Sequence, residues 1–343
     1  MDGRERVTRA IEFASPDRLP TKHILLPGAI LHYGDALAAL LARYPEDFAP
    51  TGYVEPSEYG DRIGVPQPDA WGARWVRESD EHKGLVVEHP LAAWESLDSY
   101  QFPDPLVAGD WSRVADTLER AESGRYVLVD GDTLFQRMFY LRGFEELMLD
   151  LAEDRPEARY LRDRIVEFML RKIERWLDFP VDGFQFRDDW GTQQSLMIAP
   201  DRWRSFYKPA YRRLFGAVRS AEKHVFFHSD GQIRAIIPDL IEIGAQVLNP
   251  QVGVVGHDFL AREYRGRVCF VGDVDRQLIL PFGSTDEVVA YARREIASLG
   301  TPQGGYIGAG ELAGDVPLAN AEAMLREFAT WTFEPRALDK PER

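Results

Sequence analysis

The run Lys223-His224-Val225-Phe226-Phe227-His228-Ser229-Asp230-Gly231 is an apolar strand that ends in a His-X-Asp pair and a glycine. Side chains alternate faces along a strand, so His228 and Asp230 project to one side and can converge on one ion or substrate. Two convergent ligands do not make a site. If they only bond each other and the loop backbone they are structural, so what else reaches the same place decides their role.

The elements that must position them recur through the last two-thirds of the chain as a short apolar strand, a polar or glycine turn and an amphipathic helix. Tyr126 to Val129 leads into Asp130-Gly131-Asp132, Gly183 to Phe186 into Arg187-Asp188-Asp189-Trp190-Gly191, and Val225 to Phe227 into His228-Ser229-Asp230-Gly231. Ala245 to Leu248 ends at Asn249-Pro250-Gln251, Val268 to Val271 at Gly272-Asp273-Val274-Asp275, and Tyr306-Ile307 at Gly308-Ala309-Gly310-Glu311. Helical periodicity covers Arg155 to Leu177, Ile233 to Ile243 and Asp286 to Leu299, and a last helix is expected to be capped by Asp315 with Pro317 in its first turn. Parallel strands with helical crossovers follow, an α/β chain whose last helix would close the ring of a barrel.

The amino-terminal third reads as a helix over Arg4 to Phe13, a first strand over Leu19 to Leu26 and a helix over Asp35 to Tyr44. Residues 45–105 are rich in Pro, Gly and Trp, with a hairpin expected across Trp71 to His89. This irregular stretch lacks long apolar periodicity of its own. It is read as a loop-rich insertion covering the barrel, which makes residues 1–343 a single domain.

In a barrel the carboxyl ends of all strands meet at one mouth. Asp130, Asp132, Asp188, Asp189, His228, Asp230, Asn249, Asp273, Asp275 and Glu311 are expected there. So acidic a cluster suits a divalent cation, a cationic substrate or proton transfer. The 41 basic and 56 acidic residues give a formal charge of −15, which argues against nucleic acid or an anionic membrane as partner. A lone cysteine, Cys269, sits in the apolar run Val268-Cys269-Phe270-Val271, where burial is expected. With no signal-like amino terminus and no long apolar run, a cytoplasmic location is the expectation.

Arg4-Glu5-Arg6-Val7 through Pro16-Asp17-Arg18-Leu19-Pro20, Asp188-Asp189-Trp190-Gly191-Thr192-Gln193, His228-Ser229-Asp230-Gly231, Gly272-Asp273-Val274-Asp275 and Gly304-Gly305-Tyr306-Ile307 occur in one order along the chain, followed by Asp315-Val316-Pro317 with Asn320. Together they resemble the uroporphyrinogen decarboxylase superfamily, and more narrowly its methyltransferase-like branch of corrinoid-dependent enzymes. The resemblance implies a (β/α)8 barrel that moves a methyl group between a small substrate and a corrinoid protein, with zinc held by a His-X-Cys pair and a later Cys. His228 matches the histidine, while Asp230 and Glu311 stand where the thiolates would be. A His228-Asp230-Glu311 set is harder, suiting Zn2+ or another divalent cation that polarises oxygen rather than activating a thiol.

The expected function is a metal-assisted methyltransferase or O-demethylase passing methyl from a small methylated substrate to a corrinoid acceptor. A decarboxylase or other lyase on the same barrel is the alternative, acting on a small carboxylated substrate. Porphyrinogen is not expected, because Thr21-Lys22-His23-Ile24-Leu25-Leu26 replaces the family's arginine-rich stretch. A non-catalytic ligand-binding member is the third reading. Asp188, Asp189 and Asp230 are the catalytic candidates, one of the adjacent pair Asp188 and Asp189 being expected to cap or pair while the other serves the site. Asp132, Arg137, Gln193, Asn249 and Asp273 are the substrate-binding candidates. Arg137 could meet a substrate carboxylate or a corrinoid partner, or simply pair with a nearby Asp. Tyr33, Tyr140, Trp71, Trp75 and Trp190 are read as pocket lining or as packing.

Overall fold

Apolar runs that stop at glycine or polar turns become the wall of a barrel. The computed structural model describes residues 1–54, 62–80, 84–120 and 124–332. Its strands are β1 (Ile24–Leu25), β2 (Gln67–Pro68), β3 (Arg74–Val76), β4 (Leu85–Glu88), β5 (Leu128–Asp132), β6 (Gly183–Arg187), β7 (His224–Ser229), β8 (Val247–Pro250), β9 (Cys269–Val271), β10 (Tyr306–Ile307) and β11 (Glu311–Leu312). β5 to β10 lie side by side in chain order and all pair in parallel. β11 continues β10 and pairs in parallel with β1.

Main-chain bonds too sparse for named strands complete the ring. Gly308 N–H donates to Pro20 and Lys22 N–H to Gly308, Asp47 N–H donates to Thr21, and Tyr126 N–H donates to Asp47 while Ala49 N–H donates to Tyr126. Residues 46–48 thereby fill the second position of an eight-stranded TIM barrel. The sequence pattern hid this position, because it is a single bridge, Phe48 to Tyr126.

Alternation sorts the side chains. Phe226, Val247, Cys269, Val271, Ile307 and Ala309 fill the barrel with Phe48 and Tyr126, and Val7 and Ile11 of the helix Gly3–Ile11 pack against them. Phe184, Phe186, Val225 and Phe227 point the other way into the larger core beneath the helices. The inward faces of β6, β7 and β8 therefore carry Gln185, Arg187, His228 and Asn249 beyond the apolar filling. Helices Pro156–Trp176, Lys208–Ser220 and Thr285–Leu299 cover the outside, the last begun by a capping box between Ser284 and Glu287. Asp315 does not cap the final helix as expected. Pro317 occupies the N-cap of Leu318–Thr330, its missing N–H being no loss there.

In the stretch 45–105, β2, β3 and β4 form a small antiparallel sheet; residues 55–61 and 81–83 of it, like the charged tail beyond 332, lie outside the described residues. Trp71 and Leu91 are buried in the same core as the barrel helices. Trp71 packs on Phe168, Trp75 on Tyr140 and Trp190 on Phe135. These tryptophans join elements together and line no mouth. Among the described residues no helix is long and apolar enough to cross a membrane.

Candidate metal centre

His228 is the last inward-facing residue of β7. Its Nδ1 lies 2.8 Å from Asn249 Oδ1, on the register-paired position of β8. Asn249 Nδ2 donates to the Val271 and Gly272 carbonyls at 3.2 and 3.4 Å, so the amide can turn only its oxygen to the ring. Nδ1 must then carry a proton, and Nε2 is the nitrogen turned to the mouth. That nitrogen stands 3.6 Å from Asp189 Oδ1 and 3.7 Å from Asp230 Oδ1.

Asp189 and Asp230 come from different strands yet sit together because their loops cross. Gly191 N–H donates to Asp230 O at 3.1 Å and Gln232 N–H to Thr192 O at 2.7 Å. At the crossing a Cβ on Gly231, whose φ is +75°, would lie 2.1 Å from Gly191 O. Only glycine fits there. Asp230 N–H then donates to Asp189 Oδ1 at 2.9 Å, while Gln136 Nε2 donates to Asp189 Oδ2 at 3.1 Å. Asp189, His228 and Asp230 offer ligand atoms all within 4.8 Å of one another. One imidazole and two carboxylates is a donor set that suits Zn2+, Mn2+ or Fe2+.

Glu311 does not join that set. Arg276, in the turn after β9, lies between, donating to Asp230 Oδ2 at 2.5 Å and to Glu311 Oε2 at 3.1 Å. The ligand trio expected from the resemblance is therefore corrected by the geometry, with Asp189 in place of Glu311. Burial alone would lower the Arg276 pKa, but the charges of Asp230 and Glu311 raise it, so it stays cationic. Deeper in the wall, Asp273 N–H donates to Glu295 Oε1 at 2.9 Å, and Tyr306 Oη donates to the same oxygen at 3.0 Å. Burial, then the Glu295 charge, pushes the Asp273 carboxyl well above the carboxylate range; burial likewise takes Glu295 up to about 7. Two buried carboxyl groups behind the mouth are thus shifted toward the protonated form.

The other candidates divide by burial. Asp188 accepts from the N–H groups of Leu134, Phe135 and Gln136 at 2.8 to 3.0 Å and from Tyr211 Oη, and so anchors the start of the helix Phe135–Arg142. Burial takes it up to about 7 against the pull of those bonds. It is 1% exposed, so its catalytic expectation is corrected to the capping role. Arg137 is also 1% exposed and pairs with Asp69 at 2.9 Å, which removes it from substrate contact. Asp132 is buried against Lys172 at 3.0 Å. Gln193 is exposed in the loop after β6, Asn249 acts through His228, and Cys269 is buried with burial raising its thiol pKa. Asp275 ties its own turn by accepting from Gln277 and Leu278 N–H. Arg276 and Glu295 were not among the expected residues; Arg276 was legible as a lone cation after an acidic turn, Glu295 was hidden in a helix.

A family model described as uroporphyrinogen decarboxylase (URO-D) matches residues 68–331. Among solved structures, a methyltransferase from Methanosarcina mazei superposes with a TM-score of 0.67 at 14% identity, over 95% of this chain and 98% of that one. A B12-independent methionine synthase from Shewanella sp. W3-18-1, in complex with selenomethionine, gives a TM-score of 0.49 at 11% identity over 92% and 97% of the two chains. The first likeness shows the barrel fold. No curated protein matches the chain.

Proposed function

The chain belongs to the uroporphyrinogen decarboxylase family, and within it we propose that Asp189, His228 and Asp230 hold a divalent cation, Zn2+ first, for methyl transfer from a small methylated substrate. The observation that carries this reading is His228 Nε2, its ring fixed by Asn249 and turned to two carboxylates. The acceptor proposed is a corrinoid on a partner protein, by resemblance to the methyltransferase-like branch. When bound, the cation supplies Lewis acidity at the oxygen from which the methyl departs.

The chain's own groups do the rest. Asn249 holds the imidazole in one tautomer, and Asp230 N–H and Gln136 hold Asp189 in one rotamer. Arg276 takes the second oxygen of Asp230, leaving the first turned to His228. The C–O bond breaks with its electron pair on oxygen, and the methyl joins the nucleophile of the acceptor. Burial pushes the Asp273 carboxyl up, which suits it to supply a proton beside Arg276.

The raised Asp273 carboxyl also favours a second reading, a lyase in which CO2 leaves a carboxylated substrate and the carbanion takes a proton from Asp273. Metal analysis of purified protein and anaerobic assay of a methyl-ether panel with reduced corrinoid test the first reading. Stoichiometric Zn2+ and methylcobalamin absorbance are expected, both lost in His228→Ala. CO2 release without methylcobalamin would transfer the assignment to the lyase, and neither metal nor turnover would end both.

A further inference from the structure

The wall beside the His228 cluster carries two basic side chains, Lys22 and Arg187. Lys22, at the first wall position, donates from Nζ to Gln185 Oε1 at 2.8 Å, with the Phe48 ring 5.8 Å from the ammonium. Gln185 and Arg187 share the inward face of β6, and Arg187 is the register partner of His228. Guanidinium and imidazole therefore leave adjacent strands in the same layer. Arg187 binds Asp130 Oδ1 at 3.0 Å and its side chain is 43% exposed. Loss of water drives the Lys22 pKa down to about 8, with Arg187 adding to the fall and Glu46 and Asp130 opposing it. The Lys22 ammonium thus sits on a neutral amide rather than a carboxylate, beside a second cation.

The local charges balance. Lys22 and Arg187 contribute two positives, and Asp130 and Glu46 two negatives. Lys172 and Asp132, 3.0 Å apart, cancel each other nearby, and Glu46 accepts from the main-chain N–H of His23. An ammonium whose bonded partner is a neutral amide, beside a half-exposed guanidinium, matches a carboxylate.

We propose that Lys22 and Arg187 form a carboxylate subsite, so that the methylated substrate is an organic carboxylate held on this wall while its methyl-bearing atom faces His228. The placement of the methyl-bearing atom rests on the metal-centre reading. Two cations at one subsite disfavour methylamines and other cationic methyl donors.

Calorimetric titration of wild-type protein with 4-methoxybenzoate, anisole and tetramethylammonium tests the subsite. Only the carboxylate is expected to bind, and to bind His228→Ala nearly as well as wild type. Lys22→Met and Arg187→Met should each weaken it about tenfold or more, the size of one charged hydrogen bond, with Zn2+ affinity unchanged. Arg187→Met keeps the test available if loss of the Lys22 ammonium unsettles the barrel. Undiminished binding in both variants, anisole binding as tightly as the carboxylate, or no carboxylate binding at all would overturn the proposal. Loss of carboxylate binding in His228→Ala would overturn it too, by placing the anion on the metal. Absence of Zn2+ binding with carboxylate binding intact would end the metal reading and leave the subsite standing.

Discussion

The Asn249 amide fixes the tautomer of His228. Its nitrogen is committed to the Val271 and Gly272 carbonyls, so its oxygen must accept from Nδ1, and the ring offers Nε2 to Asp189 and Asp230. Asn249→Leu frees the ring to rotate while keeping the wall filled. Zn2+ affinity should fall about 10- to 100-fold, the usual cost of losing a partner behind a metal-binding histidine. Competition with a chromogenic chelator measures it, and an unchanged affinity would show that the ring is held by something else.

Arg276 places a positive charge against Asp230. A guanidinium that close opposes the arrival of any cation, so Arg276→Met should tighten Zn2+ binding by about tenfold, a modest fraction of the Coulomb energy of neighbouring charges at an effective dielectric near 20. Weaker binding in this variant would show that the hold of Arg276 on the second Asp230 oxygen outweighs its repulsion of the cation.

Asp188 satisfies three main-chain donors at the start of the helix Phe135–Arg142. Asp188→Ala strands them away from water and should cost about 3 kcal/mol of stability in urea unfolding. A loss below about 0.5 kcal/mol, the range of ordinary surface changes, would remove the capping assignment.

Glu295 titrates with its pKa raised by burial to about 7. A carboxyl whose folded pKa lies above its unfolded value binds protons more tightly when folded. Its stabilisation is complete below the unfolded pKa near 4.5 and is lost as pH rises through about 7. Melting temperature should therefore fall between pH 5 and pH 8. Glu295→Gln should flatten that fall and melt higher than wild type at pH 8, by a few degrees for about 1 kcal/mol. Parallel curves for the two proteins would refute the assignment of the pH dependence to Glu295.

Much of this was legible in residue order. Strand alternation alone put His228 and Asp230 on one face, and turn residues located five of the six strands from β5 to β10 to within two residues or so. What escaped was set by side-chain reach across strands. Glu311 follows a strand end as the resemblance requires, yet the long Arg276 side chain intervenes, while Asp189 arrives through a loop crossing that no spacing encodes. Asp188 and Asp189 are adjacent and equally acidic; the three N–H groups that claim Asp188 belong to a helix 52 to 54 residues earlier in the chain. The wall segment 46–48 gives one bridge, too little for periodicity to register.

Gly231→Ala puts a methyl where Gly191 O already stands and forces a φ of +75° on a residue with a Cβ. It should cost about 2 kcal/mol or more and weaken Zn2+ binding with it, because the same shift separates Asp189 from Asp230. Full Zn2+ affinity in a folded Gly231→Ala protein would contradict the link.

The distance between the two carboxylates is consequently a property of peptide planes, since the Gly191 and Gln232 N–H bonds hold the loops whatever side chains they bear. A cysteine or histidine placed at position 189 or 230 would inherit that spacing, and if the trio holds a cation as proposed, the softness of the ion could be retuned one ligand at a time.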